Sequence, residues 1–385
     1  MKNLIFLALI CITACSKSLD KPATAELSDG KQSCDFGITN FNQAKRPQVI
    51  NEVAAKGRPI RSRTGTTASA GSVIFLDFDG HLVSGTSWNY SGDINCTSAN
   101  LTTAQMEEIL IRVTNDYSPF NIEVTTDEAV YNAANISKRM RVVFTESWEW
   151  YGKAGGVSYT GSFTWGDNTP CFVFTSLLGY GTKAISEAAS HEAGHTLGLR
   201  HQASYDANGV KTSDYNYGQG SGEIGWAPIM GVGYHQNVTI WHNGPTPAGA
   251  NTLQDDLAII SSITGLKVDD VPNTISGAVP VAGSIDGTIN NNTDVDVFAV
   301  ELSSSKSITV VPFSLGGPSN PGANADLLLK IYNDQGVLIS SIDDAGILNI
   351  STTLTAGRYY VAVTTTPNQF SSKYGMLGKY TLSVL

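Results

Sequence analysis

The chain has 385 residues, of which 41% are hydrophobic and 15% are charged, and its formal net charge is −10. This length suffices for two or three domains that each bury a core of their own. Because the balance is acidic and no basic stripe is present, nucleic acid is excluded as an expected partner.

The first residues have the pattern of an export signal. Lys2 is followed by an apolar run over residues 4–13, which is too short to cross a bilayer stably. We therefore predict a signal peptide over residues 1–14. The tetrapeptide ITAC, residues 12–15, resembles a bacterial lipobox, and this resemblance implies cleavage before Cys15 and lipidation of Cys15.

A lipid on Cys15 would tether the protein to a membrane without inserting it. The expected location is the cell envelope, at the bacterial outer membrane or the cell surface. Ordinary signal-peptide cleavage, which gives a secreted protein, is the alternative. Residues 15–70 are polar and lack a helical or strand period, so we predict a lipid tether and pro-segment there. Its basic residues 58–63 offer places where proteolysis could remove it.

Ordered structure is predicted to begin at residue 71 with a domain that extends to residue 267. Ser72–Phe78 is a short apolar run of the buried-strand type. Residues 102–117 predict an amphipathic helix that is capped by Thr102 or Thr103. Four further strands are predicted over residues 121–125, 139–144, 155–160 and 171–174. The fold class expected for this region is α+β, a mixed sheet with helices.

A zinc-binding pattern follows these strands. Residues 182–199 predict a helix, since they are rich in alanine and contain no proline. On this helix His191 and His195 are four residues apart, so both imidazoles project from one face. That spacing suits one zinc ion, and Glu192 between the two is placed to act as a base and not as a ligand.

Gly198 predicts a sharp turn after the helix, because glycine takes positive φ without steric cost, and the turn returns His201 as a third ligand. Three protein ligands leave one position of a tetrahedral zinc ion for water, which is the catalytic arrangement. The sequence HEAGHTLGLRH, residues 191–201, resembles the H-E-x-x-H-x-x-G-x-x-H signature of metzincin metalloproteases. The family has a methionine turn downstream, and Met230 in APIMG fits it. The resemblance implies that Met230 supports the ligands without binding the metal.

The resemblance implies two further roles. Some metzincins use a tyrosine two residues after the methionine, where this chain has Val232. Tyr234 is then the candidate oxyanion stabiliser, with His235 as the alternative. The family also binds extended substrate on an edge strand before the active-site helix, by β-augmentation. By position, the residues of that strand are Gly156, Val157, Ser158 and Tyr159.

The chain has five cysteines. Cys11 falls in the signal peptide and Cys15 is assigned to the lipid. An exported chain with three remaining cysteines has at most one internal disulfide, and we predict that Cys96 pairs with Cys171. Cys34 then has two interpretations. In the first it is an inert thiol. In the second its thiolate occupies the open position of zinc and keeps the enzyme latent, as in some metzincins. The residues that flank Cys34 do not match the switch motif of that family.

The segment between His201 and Met230 is rich in Asp, Asn, Tyr and Gly. Asn208-Gly209 predicts a hairpin with a primed turn. Three oxygen-bearing residues here are candidate ligands for calcium, a second optional cation besides zinc: Asp206, Asn208 and Asp214. Farther along, residues 252–263 predict a helix with Thr252 and Asp255 in capping-box positions, and Gly265 would end it.

Residues 268–385 predict an antiparallel β-sandwich domain, because the hydrophobic period changes to two and turn signals separate short strands. The predicted strands are 295–300, 307–311, 327–332, 358–363 and 380–384. The segments DVDVF, NADLLL and AGRYYV resemble the bacterial pre-peptidase C-terminal domain. That resemblance implies an accessory domain of a secreted protease, with a role in binding or secretion.

These patterns together predict a monomeric zinc-dependent endopeptidase that hydrolyses extracellular proteins and peptides. His191, His195 and His201 would hold zinc, and Glu192 would be the general base. The alternative function is a lipid-anchored surface binding protein in which the sandwich binds a ligand and the protease domain is vestigial. Hydrolysis of a non-peptide amide at the same zinc is a third interpretation.

Overall fold

The computed structural model describes residues 33–36, 71–316, 321–344 and 346–385. The predicted signal peptide, Cys15 and the rest of the predicted tether lie outside these residues, apart from the backbone of 33–36. Across the described ranges, no helix has the length and hydropathy needed to cross a membrane. The elements of the first half are β1 (Ser33–Phe36), β2 (Ser72–Asp77), β3 (His81–Val83), β4 (Ile94–Cys96), α1 (Thr103–Asp116), β5 (Ile122–Thr125), α2 (Glu128–Ala133), β6 (Arg139–Thr145), β7 (Gly156–Tyr159), β8 (Cys171–Phe174) and α3 (Thr182–Thr196).

Six of these strands form one mixed sheet in the order β1-β7-β8-β6-β2-β5. Strands β5, β2, β6 and β8 pair in parallel, whereas β7 pairs antiparallel with β8 and β1 pairs antiparallel with β7. The helix between β4 and β5 is the amphipathic helix that the sequence predicts, and Thr102 caps it by accepting a hydrogen bond from the amide of Gln105. The region is therefore mixed α/β, mostly strands with few helices, and agrees with the predicted fold class at this coarse level.

Both faces of this sheet are buried, and β8 shows how the two faces differ. Cys171 and Val173 belong to the core that lies against α1 and α3, whereas Phe172 and Phe174 pack on the other face with the residues of β4. Cys96 belongs to that second core. The predicted Cys96–Cys171 disulfide is therefore wrong: the two thiols lie on opposite faces of the sheet, and both are free and buried.

Small strands and one helix follow α3: β9 (Ser204–Tyr205), β10 (Lys211–Ser213), β11 (Trp226–Pro228), β12 (Val238–Ile240), β13 (Asn243–Thr246), β14 (Gly249–Asp255) and α4 (Asp256–Thr264). The predicted hairpin is present as β9–β10, but among its turn residues only Gly209 has a positive φ, so the turn is not a primed one. The predicted start of the last helix is also wrong. Thr252 lies in β14, which pairs with β13, and Asp255 alone caps α4 through the amide of Ala258.

The remaining strands form a sandwich of two sheets: β15 (Val279–Pro280), β16 (Ser284–Ile289), β17 (Asp296–Leu302), β18 (Lys306–Pro312), β19 (Leu327–Asn333), β20 (Leu338–Ile342), β21 (Ile350–Leu354), β22 (Gly357–Thr365) and β23 (Gly378–Val384). The sheet orders are β15-β17-β22-β19-β20 and β16-β23-β18-β21. All five predicted sandwich strands are confirmed, and four more were not predicted. Apart from β15 on β17, every pairing here is antiparallel.

Candidate metal centre

Three histidine side chains come together at the end of α3. The helix presents His191 and His195 from successive turns, and their ring centroids are 4.6 Å apart. The helix then ends, Gly198 takes φ +96°, and the chain turns back so that the His201 ring lies 5.1 Å from that of His191 and 4.8 Å from that of His195. One nitrogen of each ring lies within 4.8 Å of the other two. Gly198 thus has the turn role that its place in the motif predicts.

Backbone carbonyls orient the first two rings. His191 Nδ1 lies 2.7 Å from the carbonyl oxygen of Ile229, and His195 Nδ1 lies 2.7 Å from that of Leu199. A carbonyl only accepts, so each Nδ1 carries the proton and each Nε2 presents a lone pair. The Nε2 atoms of His195 and His201 are buried, and neither has a hydrogen-bond partner within the described residues. This donor set fits a zinc ion, whose histidine ligands commonly donate their other N–H to such an oxygen.

Burial also keeps these imidazoles in the form that binds a metal. Desolvation lowers the pKa of His195 to about 4. It lowers the pKa of His191 and of His201 well below the usual value, with the neighbouring histidines adding to the effect. The rings are therefore neutral at pH 7, which is the protonation state that a metal ligand requires.

The Glu192 carboxylate lies between α3 and the edge of the sheet. Ser158 Oγ, on β7, donates a hydrogen bond of 2.5 Å to Glu192 Oε2. A β-carbon added at Gly156 would lie 2.7 Å from Glu192 Cγ and 2.6 Å from the carbonyl oxygen of Phe172. Only glycine at position 156 lets the carboxylate approach the strand this closely. By their place in the sequence, Ser158 and Gly156 are predicted to bind substrate, and no local pattern indicates their contacts with Glu192.

Met230 lies against α3 at the turn that carries the two helical histidines. A β-carbon added at Gly194, between the two helical histidines, would lie 2.8 Å from Met230 Sδ. Met230 is fully buried, and the preceding residue, Ile229, supplies the carbonyl that orients His191. The segment with the methionine thus contacts α3 at Gly194 and also orients the His191 ring.

Two tyrosines contact the same region. The Tyr215 ring lies 4.4 Å from the His201 ring, a contact that the sequence analysis missed because no spacing rule links a loop residue to the motif. Tyr234 is partly buried, and desolvation, followed by the charges of Tyr215 and Glu192, raises its pKa well above the usual value. Its hydroxyl is therefore protonated at neutral pH and able to donate. His235 is exposed and lies outside the group of three histidines.

The predicted substrate-binding strand is already paired on its outer edge. Residues 33–36 run antiparallel to Gly156–Tyr159, with Cys34 opposite Ser158 and Phe36 opposite Gly156. On its other side the strand pairs with β8. The edge expected to receive a peptide is therefore occupied by a segment of the predicted pro-segment.

Two of the three residues that the sequence offers as calcium ligands, Asp206 and Asp214, already have protein partners near the β9–β10 hairpin. Asp206 Oδ1 accepts hydrogen bonds from the amides of Asn208 and Val210. Asp214 forms an ion pair with Lys211 at 2.5 Å. The prediction that this hairpin binds calcium stays untested, but its carboxylates have protein partners.

No protein-family model matches the chain, and no curated protein matches it. Among solved structures, it is similar to the pre-peptidase C-terminal domain of a collagenase from Bacillus anthracis, at 18% identity over 30% of this chain and 100% of that one, with a TM-score of 0.21. It is also similar to PliG, a periplasmic inhibitor of g-type lysozyme from Aeromonas hydrophila, at 16% identity over 28% of this chain and 96% of that one, with a TM-score of 0.19. Neither likeness supports a conclusion about function. Any proposal for the function of this chain therefore rests on the group of three histidines.

Proposed function

We propose that the chain is a zinc-dependent endopeptidase that hydrolyses extended segments of extracellular proteins. The observation that supports this most is the convergence of three neutral imidazoles, two of them buried and that of His201 partly buried, beside one carboxylate, with β7 alongside. In the envelope location that the N-terminus predicts, its substrates would be exported or environmental proteins. The zinc ligands would be His191, His195 and His201.

A bound zinc ion would polarise the substrate carbonyl and lower the pKa of water to about 7. Glu192 would take the proton from that water and pass it to the leaving amine. Because Ser158 holds Oε2, we assign the proton transfer to Oε1. Tyr234, whose hydroxyl stays protonated, would donate to the oxygen on which negative charge develops.

The outer edge of β7 would hold the substrate. A peptide that adds a strand there gains main-chain hydrogen bonds whatever its side chains, so little sequence preference is expected from this contact. Since β1 pairs with the same edge, β1 and substrate exclude each other. In the proposed enzyme the segment containing β1 is therefore a latency element, which cleavage within residues 37–70 would release.

The test is digestion of casein or gelatin by the full chain, with and without a chelator, and with the zinc content measured in parallel. We expect about one zinc ion per chain and hydrolysis that the chelator abolishes. Glu192→Gln should keep zinc and lose at least about a hundredfold in rate. Glu187→Gln, which alters a carboxylate of the same helix that pairs with Lys183, is the matched control and should stay active.

Two results would contradict the proposal. Full hydrolysis by Glu192→Gln would remove this carboxylate from the mechanism. A chain that binds zinc but cleaves no protein, even after release of residues 33–36, would favour the non-peptide amide or the binding-protein interpretation. A panel of acylated amines, assayed with the same two variants, separates these two outcomes.

A further inference from the structure

Three aspartates of the sandwich meet at one end of the paired strands β19 and β20. Asp326 directly precedes β19, and Asp343 and Asp344 directly follow β20. The two strands pair antiparallel, with Leu329 opposite Ile342, so the start of one lies beside the end of the other. One carboxylate oxygen from each aspartate lies within 4.8 Å of the other two.

The Asp326 carboxylate is buried in a way that its protein neighbours do not explain. The residue is 0% exposed, and its Oδ1 is buried with no hydrogen-bond partner in the described part of the chain. Its Oδ2 accepts one hydrogen bond, of 3.1 Å, from Asn368 Nδ2. Burying a carboxylate without a counter-charge is strongly unfavourable, and buried charges in proteins are paired or bind metals.

The neighbouring loop holds its carboxylate in place. Asp344 Oδ1 accepts a hydrogen bond of 3.0 Å from the amide of Gly346, and Oδ2 accepts one of 2.9 Å from the amide of Leu348. Each oxygen of an ionised carboxylate has a further lone pair, so these bonds leave Asp344 able to coordinate a cation. Asp343 is exposed, which provides a route for an ion to enter from solvent.

We infer that Asp326, Asp343 and Asp344 form a binding site for a divalent cation of the calcium type. All the available ligand atoms are oxygens, which hard cations prefer. Calcium is favoured over magnesium because it accepts six to eight oxygens in flexible geometry, whereas magnesium requires a near-ideal octahedron. This inference is independent of the proposed protease function and concerns a different part of the chain from the calcium ligands that the sequence offered.

The site lies next to the surface where the sandwich contacts the catalytic region. Ile347, in the Asp344 loop, packs in one cluster with Trp226 and Val238. In the loop of Asn368, the carbonyl of Phe370 accepts a hydrogen bond of 2.6 Å from Trp226 Nε1. A cation that joins these two loops would stabilise the sandwich surface on which Trp226 rests.

The experiment measures calcium binding to the full chain by titration calorimetry, in buffer freed of calcium by a chelating resin. CaCl₂ and MgCl₂ are titrated separately into wild type, Asp326→Asn and Asp343→Asn. Asp334→Asn removes an exposed aspartate of the same sandwich and is the matched control. The acidic group Asp269, Asp270 and Asp296 is intact in every variant, so differences between chains report on the proposed site.

We expect Asp326→Asn to bind one calcium ion fewer than wild type, and Asp343→Asn to bind that ion at least about tenfold more weakly. Calcium at about ten times its Kd should raise the wild-type Tm by about 2 °C, and this shift should shrink in both variants. Asp334→Asn should behave as wild type. Unchanged calcium stoichiometry and affinity in Asp343→Asn, which changes an exposed side chain, would overturn the inference, as would equal binding of magnesium at the same site.

Discussion

Ser158 Oγ donates a hydrogen bond to Glu192 Oε2, and this contact joins β7 to the helix that holds two of the three histidines. Both groups are fully buried. The orientation of the Glu192 carboxylate therefore depends on β7. A substitution in β7 that removes this hydrogen bond would directly alter the position of the proposed base.

Ser158→Ala should lower kcat about tenfold and leave KM and zinc content nearly unchanged. The reason is that a hydrogen bond to a charged group is worth about 1.5–3 kcal/mol, and its loss lets the carboxylate rotate away from its proton-transfer position. Steady-state kinetics on a fluorogenic peptide measure this. Ser186→Ala, which loses only a bond to the Thr182 carbonyl within the same helix, should keep the wild-type kcat. A large rise in KM alone would assign Ser158 to substrate binding.

His201→Ala should abolish stoichiometric zinc binding at micromolar protein. Two imidazoles from one helix leave the ion without the third ligand that catalytic zinc sites use. Zinc per chain after gel filtration, measured by atomic emission, is the readout. His235→Ala removes an exposed histidine and should retain the ion. If His201→Ala kept a full equivalent of zinc in a folded chain, the assignment of the third ligand would be wrong.

Weakening the β1 pairing should activate the protein. The double variant Cys34→Pro, Asp35→Pro removes two amides from the strand that covers Gly156–Tyr159, so we expect the kcat/KM for peptides to rise at least about tenfold. Cys34→Ser keeps the strand and removes the thiol. If strand pairing alone blocks the edge, this variant stays latent; if it is instead as active as the double variant, the thiolate is the block.

The buried Asp256 should make stability depend on pH. Burial raises the pKa of this carboxyl from 3.8 to about 7, although Gln202, Gln254 and the amide of His242 donate to it. The folded state thus holds a proton that the unfolded chain lacks between these two values. The contribution of this proton to the free energy of unfolding is complete below about pH 4 and is lost as the pH rises through about 7.

Comparison with Asp256→Asn isolates this effect. From pH 8 to pH 5, wild type should gain about 2 kcal/mol in its free energy of unfolding relative to the variant. Denaturant unfolding of both chains at the two pH values measures the difference. His242, whose pKa burial lowers to about 4, acts in the opposite direction but is common to both chains. A difference that does not change with pH would show that Asp256 is ionised in the folded state.

The sequence predicts correctly those helices, strands and turns that are determined by a few consecutive residues. β8 has the bounds that its four β-favouring residues indicate, and α1 begins after Thr102 because the capping box is a local device. The turn at Gly198 is local in the same sense. Each of these predictions depended on a few consecutive residues.

The errors arose where distant residues decide the structure. Thr252 has a helical neighbourhood but lies in β14, because the residues that follow it, Leu253–Asp255, pair with β13 and keep the chain extended. The choice of Cys96 as a disulfide partner ignored the sheet that separates it from Cys171. The contact of Ser158 with Glu192 and that of Tyr215 with His201 join residues from separate elements, so no spacing rule could find them.

The packing of Trp226 determines whether the first part of the chain can be produced without the sandwich. Its indole packs with Ile224 and Val238 against Ile347 and Met376 of the sandwich, and four residues later the chain reaches Met230. A fragment ending near residue 267 would leave that indole in water as part of an adhesive apolar patch, beside the very turn that supports the histidines. We expect such a fragment to self-associate, and the two halves of the native chain to melt together in a single calorimetric transition.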